Sequence, residues 1–257
     1  MGIPLTIPCP HDKILGQISK NGCETVFNGK RKAITFSYDD GVTQDIRLIE
    51  LLNRYHLRAT FNLNSELLGT ERTLVREGVE VSHNKNKPAD VPHIYAGHEI
   101  AAHTLTHPTL TQCADEEIIR QVEQDRLKLS DLAGYEVVGM AYPGGGVNHN
   151  SHIADLINER TGVRYARTNE STHAFARPAN PLLFHPSVYH VMELDKLFEL
   201  GEQFLAMEAT TPQVFCVWGH SYEFDIADTW GKFEEFCQLV SNRDDIFYGT
   251  NKEVLLK

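Results

Sequence analysis

Residues 33–63 read Ala33-Ile-Thr-Phe-Ser-Tyr-Asp39-Asp40-Gly41-Val-Thr-Gln-Asp45-Ile-Arg-Leu-Ile-Glu-Leu-Leu-Asn-Arg-Tyr55-His-Leu-Arg-Ala59-Thr-Phe-Asn-Leu63. The first six residues form an apolar, β-favouring run that closes on an acidic pair, the pattern of a buried strand. Apolar positions at Ile46, Ile49, Leu51 and Leu52 predict a helix from Asp45 to Tyr55. Ala59 to Leu63 reads as the next strand. Strand, loop, helix and strand in that order make the repeating unit of parallel sheets.

The same alternation continues outward. His98 to Ala102 is a short strand, Asp115 to Leu132 an amphipathic helix with Ile118, Ile119, Val122, Leu127 and Leu129, and Val137 to Ala141 a strand. A helix over Ser151–Thr161 ends at Gly162, and Tyr165–Arg167 is a strand. Helices over Leu194–Met207 and Thr229–Asn242 flank a strand at Gln213–Trp218, and Phe247-Tyr248 forms a last short strand. The stretch 70–96 is polar and irregular, an excursion over the sheet that could wall a substrate. About seven strands predict a single α/β domain, a distorted, incomplete (β/α)7-type barrel over 31–257. An open doubly wound sheet is the alternative. Residues 1–30, with turn signals Asn21-Gly22 and Asn28-Gly29, read as an N-terminal extension packed on the barrel.

The chemically loaded residues follow strands: Asp39 and Asp40, His103 and His107, Gly144, and His220. In barrel folds those loops meet in one mouth. His103-Thr-Leu-Thr-His107 places two imidazoles on one face of a helix or helical turn. A carboxylate delivered from elsewhere in the chain completes a two-histidine, one-carboxylate set, which holds a divalent metal and leaves a position open for water or substrate. Asp39 and Asp40 point opposite ways on an extended chain, so a turn begun at Gly41 is needed to aim both at the mouth.

Composition narrows the partners. A formal charge of −11 and a pI near 5.6 disfavour nucleic acid and anionic membranes. No stretch reaches the length of a membrane span, and the N-terminus lacks the basic start and apolar core of a leader, which predicts a cytoplasmic setting unless a leader was trimmed. Five scattered cysteines (Cys9, Cys23, Cys113, Cys216, Cys237) suit reduced, mostly buried thiols.

These motifs, in this order, resemble the polysaccharide deacetylase family, the nodulation-type or family 4 carbohydrate esterases. Ile34-Thr-Phe-Ser-Tyr-Asp39-Asp40-Gly41 is similar to the family's Thr-Phe-Asp-Asp-Gly. Gly97-His-Glu-Ile-Ala-Ala-His103-Thr-Leu-Thr-His107-Pro108 is similar to its His-Ser/Thr-x-x-His. Ala141-Tyr-Pro143-Gly144-Gly145 loosely matches Arg-x-Pro-aromatic-Gly, and Val214-Phe-Cys-Val-Trp-Gly-His220 its last strand ending in histidine. The resemblance implies that Asp40, His103 and His107 hold the metal, with zinc the default and cobalt, nickel or manganese able to bind. It implies Asp39 as general base, His220 as general acid and the Gly144 N–H as oxyanion donor in removing acetyl groups from N-acetylated carbohydrate. The family's arginine falls at Ala141, and its Asp-x-x-Asp-Trp motif has no good copy here. Arg167 is a candidate to supply the missing cation beside Asp39.

Three other readings compete: hydrolysis of non-peptide C–N bonds in small cyclic amides or ureides, O-deacetylation at the same site, and a carbohydrate-binding relative without catalysis. His98 is expected to support the site from behind the ligands. His149, His185 and His190 are candidates to line the cleft that no spacing signal supports, and His11, His56, His83, His93, His152 and His173 are expected on the surface or in structural roles. Trp218, Tyr222 and Trp230 either stack on a sugar or, more commonly, pack in the core. Which sugar, which metal and what oligomeric state are not written in these motifs.

Overall fold

Strand β1 (Lys32–Asp39) is buried along its whole length, and its two faces meet different surroundings. Ile34, Phe36 and Tyr38 enter the main apolar core, whereas Ala33, Thr35, Ser37 and Asp39 point the other way, as the period of two requires. The computed structural model describes residues 26–76 and 78–256. Most of the predicted N-terminal extension lies outside them. Its last residues form a tight turn at Asn28-Gly29, where both residues have positive φ, with Phe27 buried against the inner cluster.

Helix α1 (Asp45–Arg54) covers the apolar face of β1 with Leu48, Ile49, Leu51 and Leu52. Ile46 is 43% exposed and lies off that face. Strand β2 (Ala59–Leu63) then returns parallel to β1, with Asp39 opposite Asn62. The stretch 70–96 is more ordered than expected. It holds an antiparallel hairpin of β3 (Thr73–Arg76) and β4 (Val79–Ser82), a 3-10 turn at Pro88–Asp90 and helix α2 (Val91–Ile94). The charged, exposed faces of β3 and β4 hide the alternation, because only Leu74 and Val81 turn inward among apolar neighbours.

The remaining alternation follows the sequence closely: β5 (Glu99–Ala102), α3 (Asp115–Ala133), β6 (Gly139–Ala141), α4 (Ser151–Arg160) and β7 (Tyr165–Arg167). Gly134 ends α3 in the left-handed conformation (φ 72°), and the Asn150 side chain caps α4 by accepting from the Ile153 N–H. Next come β8 (Val188–Tyr189), α5 (Leu194–Ala206), β9 (Gln213–Gly219), α6 (Glu223–Ala227), α7 (Trp230–Val240), β10 (Ile246–Tyr248) and α8 (Asn251–Leu255). The short elements β8, α6 and α8 carry too few residues to show a period in sequence.

The main sheet runs β7-β6-β5-β2-β1-β9-β8, with β10 paired to β1, and all of its pairings are parallel. It curls into a half-barrel. Four strand steps separate β7 from β1, about 19 Å in a flat sheet, yet the Arg167 side chain of β7 reaches Asp39 of β1. Residues 184–189 bring the two edges together: Phe184 bridges to Arg167, and β8 pairs with β9. The helices other than α8 pack on the convex face. The concave face has an apolar floor of Ala33, Tyr165, Phe184, Val214 and Cys216, closed by Phe27, Val254 and Leu255.

Candidate active site

The carboxyl ends of the strands bring Asp40, His103 and His107 together, with one ligand atom from each lying within 4.8 Å of the others. Backbone strain aims them. Asp40 itself has φ 83°, so the turn begins at Asp40, one residue before the expected Gly41, and swings its carboxylate round to the same mouth as Asp39. His103 and His107 do not share a helical face, contrary to expectation. They sit in a loop with left-handed Thr104 (φ 68°) and His107 (φ 62°). Asn64 fixes that loop by donating to the carbonyls of His103 (2.5 Å) and Thr104 (2.9 Å), and Gln121 accepts from the Thr106 N–H. The imidazole rings end 4.9 Å apart, as close as a helical step would have placed them.

The donors suit a divalent cation. His103 Nδ1 lies 2.9 Å from the Ala141 carbonyl, so it carries the proton and leaves Nε2 bare toward the mouth. Burial depresses His103 to about 4 and lowers His107, so both imidazoles are neutral at pH 7. Burial alone would raise Asp40, but the hydrogen bond from His83 and the charge of Lys85 hold it well below the usual carboxylate range. His83 Nε2 is 3.1 Å from Asp40 Oδ2, and Lys85 Nζ is 3.1 Å from Oδ1 and 2.6 Å from the Asp40 carbonyl. A carboxylate offers about four lone-pair positions, so a ligand position remains. His83 is therefore no surface histidine. It and Lys85 are delivered by the segment after the β3–β4 hairpin, and nothing in their spacing marked them.

Asp39 occupies the second position in the mouth. Arg167 Nη2 donates to both of its carboxylate oxygens, at 2.5 Å to Oδ1, and Asn62 Nδ2 donates to Oδ1 at 2.8 Å. Arg167 is fully buried, its Nε donating to Ser37 Oγ at 3.0 Å, and its guanidinium lies 4.6 Å from the Trp218 ring centre. Burial would raise the Asp39 carboxyl; Arg167, His103 and His220 together hold it below its ordinary value. The cation that the loop after β6 lacks at Ala141 thus comes from the end of β7.

His220 follows β9 with Nε2 4.0 Å from Asp40 Oδ2. Glu223, one helical turn on, lies 3.3 Å from His220 Nδ1 and also bonds the buried His190 at 3.0 Å and the Tyr189 hydroxyl. Burial alone would lower His220, but Glu223, Asp40 and Asp39 overcome it and raise the imidazole to about 9. The sequence reading missed Glu223. Its signal was the three-residue step from His220 at the start of a helix.

Gly144 lies against Thr109, two residues past His107, with φ 86°; an added Cβ would come 3.2 Å from Thr109 Oγ1. Its N–H has no acceptor among the described residues. His190 is inside the core, T-stacked on Tyr38 and Phe224, and does not line the cleft. His98 was expected behind the ligands but lies at the amino end of β2, accepting from the Ala59 N–H at 3.1 Å and facing Asn53. Trp218, Tyr222 and Trp230 are all buried, Trp230 against Phe224 and under Arg47. A cavity of about 500 Å³ lies at the amino end of β9, away from this chemistry.

The chain is similar in sequence and in fold to known proteins. The chitooligosaccharide deacetylase of Rhizobium leguminosarum bv. phaseoli is 27% identical over 155 residues, 59% of this chain and 56% of that protein. A peptidoglycan-N-acetylglucosamine deacetylase of Listeria monocytogenes is 25% identical over 119 residues, 46% of this chain and 22% of that protein. The match thus spans less than two thirds of either relative. In fold, a Mycobacterium smegmatis protein assigned to the polysaccharide deacetylases superposes with a TM-score of 0.63 at 16% identity, covering 91% of this chain and 92% of that one. A family 4 acetyl xylan esterase of Clostridium thermocellum, solved with a cobalt ion, gives 0.53 at 14% identity over 88% and 91%. The polysaccharide deacetylase family model matches residues 28–166, more than half of the sequence, from the turn before β1 to β7. This chain belongs to the polysaccharide deacetylase family.

Proposed function

We propose that this chain is a metal-dependent hydrolase that removes acetyl groups from N-acetylated carbohydrate. The observation that carries it is the convergence of Asp40, His103 and His107 on one point between a braced carboxylate, Asp39, and a braced imidazole, His220. When bound there, a divalent ion supplies Lewis acidity toward the acyl carbonyl and the attacking water. Zinc suits two imidazoles and a carboxylate; cobalt, nickel and manganese fit the same set.

The chain's own residues divide the remaining work. Asp39, kept ionised by Arg167, accepts the proton of the attacking water. The free N–H of Gly144 faces the developing oxyanion. His220, charged through Glu223, delivers a proton to the leaving amine, and acetate departs. An ester of the same acyl group needs the same machinery, so O-acetylated glycans belong to the substrate range.

Acetate release from N-acetylglucosamine oligomers, measured beside hydrolysis of small cyclic amides, tests the reading. Activity on the sugars that is lost on dialysis against a chelator and restored by zinc supports it. Turnover of the cyclic amides alone replaces the substrate, and binding of oligomers without turnover replaces catalysis. A cytoplasmic setting is part of the proposal. The unpaired thiols of Cys113, Cys216 and Cys237 suit a reducing compartment, and cell fractionation decides it. No described helix is long and apolar enough to cross a membrane.

A further inference from the structure

A second group of metal-type donors stands outside the site described above. His149, in the loop after β6, meets Glu170 and His185, both downstream of β7, and one ligand atom from each lies within 4.8 Å of the others. His149 Nε2 is 3.7 Å from Glu170 Oε1, and His185 Nδ1 is 3.8 Å from Glu170 Oε2. Ligand atoms about 2.0 Å from a tetrahedral zinc stand about 3.3 Å apart, so small side-chain rotations would close the set on an ion.

The tautomer of His149 is already chosen for coordination. The Asn148 amide donates to the carbonyls of Tyr142, Pro143 and Gly144 at 2.9–3.2 Å, which leaves its Oδ1 as an acceptor. His149 Nδ1, 2.9 Å from that oxygen, must carry the proton. Nε2 therefore presents its lone pair to Glu170, the arrangement that orients metal-bound histidines. Thr168 Oγ1 accepts from the Glu170 N–H and lies 2.8 Å from His185 Nδ1, which holds the His185 ring beside Glu170. Glu170 is 64% exposed, which leaves the solvent side open for water to complete a coordination shell.

We propose that His149, Glu170 and His185 form a second divalent-cation site, of the zinc class, that ties the Gly144 loop to the segment after β7. The ion adds to a link already made by Asn169, whose amide donates to the carbonyls of Gly144 and Gly146. The site does not depend on the catalytic assignment, and its donors are none of the residues in that centre.

Metal content of the purified full chain, loaded with zinc and cleared by gel filtration, tests the proposal. The wild type should retain about two equivalents, with Glu170→Gln, His149→Gln and the double variant His103→Ala/His107→Ala each retaining about one. Glu170 is exposed, so its exchange for glutamine leaves the core intact. In the His103→Ala/His107→Ala protein, zinc should slow amide exchange over residues 144–148, and adding Glu170→Gln should remove that protection. A wild type holding one equivalent that Glu170→Gln leaves in place, but His103→Ala/His107→Ala abolishes, overturns this site and leaves the catalytic centre standing. Two equivalents retained by both Glu170→Gln and His149→Gln overturn it as well. Loss of an equivalent in Glu170→Gln with wild-type content near two supports it.

Discussion

The two faces of the curled sheet are built on opposite principles, and β1 shows both. Toward the helices, Ile34, Phe36 and Tyr38 join an apolar core with Phe61, Phe233 and Phe236. Toward the barrel interior, Thr35 and Ser37 climb from the floor to Asp39 through a chain of buried hydrogen bonds. Thr35 donates to Asn251 (2.9 Å), Asn251 donates to Ser37 (3.1 Å), and Ser37 accepts from both Asn62 and Arg167 (3.0 Å each). Beside it Glu99 accepts from Thr60 and Tyr165 at 2.8 Å and from the Lys252 N–H at 3.0 Å. The convex face holds the fold together by burying apolar area. The concave face spends buried polar groups on holding one carboxylate and its cation in fixed geometry at the mouth. A fully satisfied polar interior is rigid, and a partly satisfied one is costly.

That contrast breaks first at Arg167. Arg167→Met should lower kcat for acetate release by about a thousandfold or more and destabilise the chain by about 3–5 kcal/mol, because the buried Asp39 carboxylate loses its partner. Steady-state kinetics and urea unfolding read the two effects. Arg167→Lys should recover little of either, since an ammonium lacks the planar fork that spans two oxygens and Ser37 at once. A fully active Arg167→Met enzyme would remove the concave face from the mechanism.

Phe36→Ala, on the opposite face of the same strand, should cost about 3–5 kcal/mol of stability through the cavity it leaves. Because Phe36 does not touch the mouth, the protein that remains folded should keep its kcat. A large loss of kcat with KM unchanged would mean that the two faces are coupled.

Asp125 is an acid on the helix side, and it sharpens the comparison through pH. It accepts from the N–H groups of Ser65 (2.7 Å) and His103 (2.9 Å), yet burial raises it from 3.8 to about 7. Between those two values the folded state keeps a proton that the unfolded chain has lost. Stability should therefore fall as pH rises from about 4 to about 7 and level off above that, by at most about 1.4 kcal/mol per pH unit for this one group. Asp125→Asn should flatten that part of the curve in chelator-treated protein; an unchanged slope would assign it elsewhere.

The smallest expected effect is at the foot of the polar ladder. Asn251→Ala leaves the buried Thr35 hydroxyl without its acceptor, and should cost about 1–3 kcal/mol with a modest fall in kcat, read by thermal unfolding and acetate release. A gain in stability would show that this part of the interior is polar without structural need.

Much of this was legible beforehand. The strand–helix–strand opening, the long helix over 115–133, the strand at Tyr165–Arg167 and the placement of chemistry at strand ends follow from period and punctuation. Asp39, Asp40, His103, His107 and His220 were marked by their motifs, and Arg167 was singled out as the cation for Asp39, where its guanidinium is found. The helical reading of His103–His107 failed because a four-residue step cannot be told from a loop whose left-handed residues bring the same rings together. His83 and Lys85 went unread because they follow a hairpin too short and too charged to show a period, and Glu223 because its three-residue step from His220 is a weak signal by itself.

The sequence by itself determined which residues could do chemistry and that a parallel sheet would carry them, since hydrophobic period, residue type and strand-end position are local properties. Only the tertiary structure decided which of them meet. Curling of the sheet carries Arg167 across three intervening strands to Asp39, and positive φ at Asp40 and His107 turns side chains that the local pattern would have sent elsewhere. The physical reason is that strand register, sheet curvature and backbone strain are fixed by packing the whole chain at once.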